Sequence, residues 1–378
     1  DPESNFGIII ANSSNTDGMS LYSSEYSTIT ARPMLSVTYR GQQTTTDPIP
    51  VDSAGNSPRY GLFVYSDSHV DAATSPAFST ALAQMAELQN VAGAPRIIAT
   101  MSLGDHTESG LDASWDAHMG ITGPYWDAAA TEFGGTSPRY IAVPGNHDVM
   151  AGSSWYDIWN DHLPGQVALA GNSSSAGVYF NFTHENALLV GLDTNRATNS
   201  STSYVNDPQI QMLRSMLSGS TSPFKFMFYH MPAFYCSSSG GGPTPAALAF
   251  VDLAAQYNVD TIFNGHSHVY TRTCRMTKSH TCTGTASGTV QVEVGSVGTA
   301  DARLRALRTT AQSVTGYDAS GVSSTISYAC SAAGGYVTTL DAQRTFCYVN
   351  VRGCWANVKC YRVGNTTPFD SWTLNHCQ

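Results

Sequence analysis

The sequence predicts a layered α/β fold in which helices cover a central sheet. Seven apolar runs of strand length recur between residues 60 and 294. They are nearly continuous instead of alternating, as strands buried on both faces are. Helical patterns lie between some of them, and polar residues gather directly after several.

The elements follow in order. Residues 1–50 carry short β-forming stretches, "FGIII", "GMSLYSS" and "PMLSVTYRG", and "TTTDPIPVDSAGNSP" (44–58) is a polar, Pro-rich linker. The strand runs are "YGLFVY" (60–65), "RIIATMSL" (96–103), "RYIAVP" (139–144) and "ALLVGL" (187–192), then "FKFMFY" (224–229), "DTIFN" (260–264) and "TVQVEV" (289–294). Between them, "SPAFSTALAQMAELQNV" sets Phe78, Leu82, Met85 and Leu88 on one helical stripe. "DPQIQMLRSMLSG" opens on an Asp cap before Pro and closes on Gly, and "TPAALAFVDLAAQY" is a third helix. The tail, 301–378, holds five cysteines with much Gly and Ser, and reads as irregular or β-rich and stapled to the body. The expected division is an N-terminal β segment and linker at 1–55, a main α/β domain at 56–300, and a Cys-rich C-terminal extension at 301–378 packed on it.

Composition excludes some jobs. The chain of 378 residues carries a formal net charge of −10 and has three lysines and no basic stripe, so general nucleic-acid binding is not its main work. An acidic protein that handles anionic substrates needs something local to attract them, such as metal ions. No apolar run approaches the roughly 20 residues that span a bilayer. The opening "DPESNFG" shows no signal peptide and fits a mature or trimmed protein.

Eight cysteines without a CxxC, few lysines and sequons at Asn12, Asn172, Asn181, Asn199 and Asn365 favour an oxidising, secreted or extracellular/periplasmic setting. Three cysteines precede residue 300 and five follow, so full pairing requires at least one bridge from tail to body. Cys274–Cys282 looks like a local staple, which leaves Cys236 for a C-terminal partner.

The chemistry sits where strands end. Asp67 and His69 follow the first run, Gly104 and Asp105 the second, and Gly145, Asn146, His147 and Asp148 the third. His230 follows "FKFMFY"; Gly265, His266 and His268 follow "DTIFN". Extended backbone at 264–270 would aim His266 and His268 to one side. Singly, each residue is an ordinary turn, cap or core residue. Repeated after five strands, they are expected to converge, because ligands gather beyond the carboxyl ends of strands in open α/β sheets. Carboxylate, amide oxygen and imidazole without thiolate suit Zn, Fe, Mn or Co. Seven such side chains with one shared carboxylate suit two ions about 3.5–4 Å apart.

The set Asp-x-His, Gly-Asp, Gly-Asn-His-Asp, His and Gly-His-x-His resembles the calcineurin-like metallophosphoesterase superfamily over roughly residues 60–300. "YHMPAFY", "GHSHVYTRT" and "GTVQVEVGS" are similar to its purple acid phosphatase branch. The resemblance implies a layered β-sandwich core flanked by helices, and a dinuclear metal-dependent phosphatase. Asp67, His69, Asp105 and His268 would hold one ion; Asp105, Asn146, His230 and His266 would hold the other. A bridging hydroxide, formed from water whose pKa falls toward ~7, would be the nucleophile. His147 would stabilise the phosphoryl group or protonate the leaving oxygen, and Asp148 would orient the His147 ring.

Two positions depart from the purple branch, which carries Gly where His69 stands and a metal-ligating Tyr where Glu108 stands. Without tyrosinate on ferric iron, a colourless protein is expected. His106, Glu108, Tyr235 and Tyr270 are candidates for touching a small phosphorylated substrate. Asp193 reads as structural. His118, His162, His184, His280 and His376 have no motif partner, and "SSSGGGP" (237–243) is a loop that could gate the cleft. The competing readings are a phosphodiesterase acting on a cyclic nucleotide or lipid headgroup, a nuclease, and a binding protein that kept the fold and lost turnover.

Overall fold

The computed structural model describes residues 58–377 apart from 73–74, 92–93, 131–132, 134–137, 170–176, 197–206, 239–244, 284–287, 299–303, 309 and 332–335. The expected N-terminal β segment, most of the linker and most of the 237–243 loop lie outside the described residues.

The strands are β1 (Arg59–Tyr65), β2 (Arg96–Ser102), β3 (Arg139–Ala142), β4 (Phe180–His184), β5 (Ala187–Gly191) and β6 (Phe224–Phe228). Then come β7 (Thr261–Asn264), β8 (Tyr270–Thr273), β9 (Val290–Val294), β10 (Ala311–Tyr317) and β11 (Ser323–Ala329). The last are β12 (Val337–Asp341), β13 (Thr345–Arg352), β14 (Trp355–Arg362) and β15 (Pro368–Asn375). One six-stranded sheet runs β15-β14-β13-β1-β2-β3, and a seven-stranded sheet runs β12-β8-β9-β7-β6-β5-β4. The hairpin β10-β11 stands apart from both.

Alternation along each strand builds the layers. Leu62 and Val64 face inward with Met101, Ile141, Phe226, Phe228, Val292 and Val349, filling the space between the sheets. Their neighbours Phe63 and Tyr65 face outward onto Phe78, Leu82 and Met85 of the helix Pro76–Gln89 and onto Trp115 and Trp159. On the other side Met227 and Ile262 pack against Ile210, Leu213, Leu248 and Phe250. Those four belong to helices Pro208–Gly219 and Pro245–Gln256. The result is helix, sheet, sheet, helix, the expected layered β-sandwich core flanked by helices. The Asp207 cap forms as its sequence predicts, accepting from the N–H groups of Gln209 (2.8 Å) and Ile210 (3.4 Å).

The chain after 301 is woven into both sheets. β12 pairs with β8, and β13 lies antiparallel to β1. Disulfides join Cys236–Cys330, Cys274–Cys282, Cys347–Cys360 and Cys354–Cys377, so the local staple and the tail-to-body bridge both form. Four disulfides and no free cysteine mark an oxidising environment. Among the described residues no helix is long and apolar enough to cross a membrane.

Candidate metal centre

β1, β2 and β3 run parallel, as do β5, β6 and β7, so their carboxyl ends open at shared edges. Each chain must turn sharply there. Eight described residues other than glycine have positive φ, and five are site candidates: Asp67 (54°), His69 (44°), Asp105 (51°), His266 (80°) and His268 (58°). Left-handed backbone costs an L-residue roughly 1–2 kcal/mol. Its concentration here is strain held by surrounding structure, as functional sites show. The supports are backbone bonds that continue past the strands, Asp67 N–H to the Gly104 carbonyl (3.1 Å), His69 N–H to that of Asp105 (3.0 Å) and Gly265 N–H to that of His230 (2.9 Å). The extended conformation expected at His266 and His268 does not occur, since both are left-handed. Gly265 is required by close approach, because a Cβ there would collide with Ser66 Oγ. At Gly145 a Cβ would collide with the Asp105 carboxylate.

Candidate ligand atoms fall in three overlapping groups among the described residues: Asp67, His69 and His268; His69, Asp105 and His147; and Asp105, His230 and His266. His69 Nε2 lies 3.7 Å from Asp67 Oδ1, 3.6 Å from Asp105 Oδ2 and 3.1 Å from His268 Nε2. His268 Nε2 lies 3.4 Å from Asp67 Oδ1. His230 Nε2 is 3.2 Å from both Asp105 Oδ2 and Asn146 Oδ1, and His266 Nδ1 is 2.9 Å from Asn146 Oδ1. Atoms bound about 2.1 Å from a common ion stand roughly 3 Å or a little more apart, close to these spacings. Asp105 Oδ2 neighbours both His69 and His230, while its Oδ1 accepts the His147 N–H at 2.8 Å.

Hydrogen-bond chemistry shows that these atoms suit a cation. His230 Nδ1 donates to the Leu103 carbonyl at 2.8 Å, and His69 Nδ1 meets the Glu108 carboxylate at 3.0 Å. In the neutral rings both Nε2 atoms therefore carry lone pairs, aimed at other acceptors. Such crowding of acceptors is relieved by a proton or a metal ion. Burial opposes charge on His230, but Asp105 and Asp67 overcome it and raise its pKa to about 9. Burial likewise opposes ionisation of Asp105, yet His230 holds its carboxyl down at about 2. His266 is pushed the other way, to about 4, by burial and by the charges of His230 and Arg305. No thiolate competes, since every cysteine is bridged.

His147 lies at the mouth, partly exposed, its ring edge-on to His69 with centroids 4.7 Å apart. Its Nδ1 donates to the Glu108 carbonyl at 2.7 Å, which leaves Nε2 to exchange protons. Asp148 does not orient this ring, contrary to expectation. Its buried carboxylate accepts from the N–H groups of Asp105 (2.9 Å), His106 (3.0 Å) and Gly145 (2.8 Å), and pairs with His106 Nδ1 at 2.9 Å. The left-handed turn at Asp105 aims these donors at it, so Asp148 ties the second loop to the third.

Two substrate candidates are also corrected. His106 is fully buried and stacks on Trp115 with centroids 4.8 Å apart. Tyr270 is fully buried and donates its hydroxyl to Asp370 at 2.8 Å. Tyr235 is 6% exposed, and its backbone carbonyl accepts from the Tyr328 hydroxyl at 3.0 Å. Of the unmatched histidines, His118 is buried against Tyr140, and His376 meets Asp260 at 2.7 Å. His162 pairs with Asp112 at 2.9 Å. Asp193 is structural as expected, accepting from Asn195 N–H at 2.9 Å, while the Asn195 amide braces the carbonyls of Pro144 and Gly145.

Two nearby residues carried no signal in the strand-end pattern. Glu293, buried on β9, accepts from the Ser267 N–H at 3.2 Å and from its hydroxyl, fixing the turn between His266 and His268. Arg305 acts from the tail segment; the local run of three arginines in "RLRALR" (303–308) is the one hint of it.

Residues 62–270 match the family model of the calcineurin-like phosphoesterases, more than half of the chain. The chain belongs to that family. No curated protein sequence matches it. Among solved structures it is similar to the purple acid phosphatase PPD1 of yellow lupin (Lupinus luteus), at 14% identity and a TM-score of 0.58, covering 85% of this chain and 54% of that one. It is also similar to GAP50, the anchor in the inner membrane complex of Plasmodium, at 15% identity and a TM-score of 0.51, covering 85% and 90%. PhoD shares 12% identity at a TM-score of 0.52, covering 87% and 70%. These likenesses are of fold. The chain spans about half the length of the lupin phosphatase.

Proposed function

We propose that this member of the family hydrolyses phosphomonoesters at a two-ion centre. Asp67, His69, Asp105 and His268 hold one ion, and Asp105, Asn146, His230 and His266 the other. The observation that carries the reading is the position of Asp105 Oδ2, 3.6 Å from His69 Nε2 in one set and 3.2 Å from His230 Nε2 in the other. The oxygen and imidazole donors suit Zn, Fe, Mn or Co. When bound, such ions neutralise phosphoryl charge and acidify water to serve as nucleophile.

The chain's own residues supply the rest. Asp105 and Asp67 offset the charge of the ions, and Glu108 fixes His69 with Nε2 inward. His147, held through Nδ1, presents Nε2 to donate a proton to the departing oxygen. Residues 56–300 form the catalytic domain in this reading, and 301–378 an extension of it. The protein works as a secreted glycoprotein; the described sequons Asn181 and Asn365 are both exposed.

Elemental analysis together with p-nitrophenyl phosphate and bis-p-nitrophenyl phosphate assayed side by side tests the reading. Two ions per chain and preference for the monoester are expected. Preference for the diester would make the enzyme a phosphodiesterase on the same core, and full metal loading without turnover would make it a binding protein.

A further inference from the structure

The turn at 193–195, where the chain leaves β5, touches two loops at once. The Asn195 side-chain amide donates to the carbonyls of Pro144 (3.3 Å) and Gly145 (3.2 Å), directly before Asn146. The Thr194 hydroxyl accepts the Met231 N–H at 3.2 Å, directly after His230. Asn146 and His230 are 84 positions apart in the chain, yet Asn146 Oδ1 stands 3.2 Å from His230 Nε2. One turn therefore grips the chain neighbour of each member of that pair.

The turn is itself fixed from behind. The Asn195 N–H donates to Asp193 Oδ1 at 2.9 Å, and the Asp193 N–H donates to Gln209 Oε1 at 2.8 Å. Gln209 Nε2 returns a bond to the Asp193 carbonyl at 3.0 Å, from a buried place in the first turn of the helix that Asp207 caps. The Leu192 N–H donates to the Phe228 carbonyl at 2.9 Å, so the chains of β5 and β6 stay joined past their last paired residues. Other bonds hold Asp67 and His268. Ser296 Oγ donates to the Asp67 carbonyl at 2.8 Å, the Val297 N–H donates to the Ser66 carbonyl at 3.0 Å, and Glu293 accepts from the Ser267 N–H. Those supports come from β9 and its exit, whereas the supports of Asn146 and His230 come from the exit of β5.

We infer that Asn195 and Thr194 are positioning residues for the second ion, setting the separation of Asn146 and His230. The inference rests on the two-ion reading and deepens it, since separate supports let one ion be loosened without the other. The Asn195 amide spans two successive carbonyls and so fixes the peptide plane from which Asn146 departs. Thr194 fixes the backbone that leaves His230. Ligands placed before the ion arrives lose less freedom when it binds.

Asn195→Ala and Thr194→Val each remove one grip, and Thr194→Ser keeps the hydroxyl. Metal-free variants and parent are compared by zinc titration calorimetry and by crystal structures without and with zinc, where anomalous scattering assigns occupancy to each ligand set. In Asn195→Ala and Thr194→Val the set of His230 and His266 should bind zinc about tenfold more weakly, while the set of His69 and His268 keeps its parental affinity. Thr194→Ser should match the parent. Parental zinc affinity at both sets overturns the inference, and so does equal weakening of both, which a general loosening of the fold would give. A parent that takes zinc at fewer than two sites overturns the two-ion reading instead. The metal-free structures then decide: Asn146 displaced from His230 in Asn195→Ala supports the positioning role, and Asn146 unmoved overturns it.

Discussion

The carboxylate of Glu108 meets Nδ1 of His69 at 3.0 Å, and the same residue's carbonyl accepts from Nδ1 of His147 at 2.7 Å. One residue therefore sets the tautomer of a proposed metal ligand and of the proposed acid. Its carboxylate is engaged with an imidazole, and the proposed ligand set contains no tyrosine. The metal-loaded protein is expected to show no tyrosinate charge-transfer band in the visible. Glu108→Ala should weaken one ion of the pair by about 10–100-fold, as loss of a partner behind a ligand does. Stepwise titration with a chelator would show one site loosened; equal loosening of both would contradict the assignment.

Asp105 and His147 separate binding from chemistry. Asp105→Asn replaces the shared oxygen's charge, so metal content and turnover should fall together, turnover by orders of magnitude. His147→Ala should cut turnover by about 100-fold or more while metal content holds. Elemental analysis of both variants, set beside kcat, checks the split. Retained activity in purified Asp105→Asn would remove the basis of the assignment.

The proposed ligands were legible in sequence because metal chemistry admits few side chains and parallel strands deliver their ends to one edge. Phe63 and Leu62, or Met227 and Phe228, were legible only as buried, since a continuous apolar run does not say which of two cores each residue faces. The partner of Asp148 was not legible. It depends on the left-handed turn at Asp105, and nothing in the spacing of Gly-Asn-His-Asp encodes that turn. That His266 turns Nδ1 toward Asn146 and His268 turns Nε2 toward Asp67 is likewise set by backbone direction. Arg305 and Glu293 escaped because they act across space, from the tail and from the strand behind the loop.

Asp148 is a tie between loops, and its variant should behave as one. Asp148→Asn swaps one acceptor oxygen for a donor facing the N–H groups of Asp105, His106 and Gly145. Unsatisfied buried donors cost roughly 1–3 kcal/mol each. The melting temperature should drop by several degrees and metal content should fall with it. A variant of parental stability whose pH profile alone is altered would restore the role of orienting His147.

Glu293 gives the fold a pH dependence of known sign. Burial, with the Asp67 charge adding to it, raises its carboxyl from the ordinary 4.5 to about 8. Between those values the folded chain keeps a proton that the unfolded chain has released, so the folded state binds more protons. Stability contributed by this group is then complete below about pH 4.5 and is lost as pH rises toward about 8. Gln in its place can still accept from Ser267 and carries no proton to lose. In metal-stripped protein, Glu293→Gln should match the parent near pH 4.5 and gain on it steadily up to pH 8, a gap read as diverging melting temperatures. Adding metal should narrow the gap, because cations beside Asp67 draw the carboxyl back down. Parallel melting curves across that range would mean that Glu293 is ionised throughout, its charge balanced by the Ser267 donors alone.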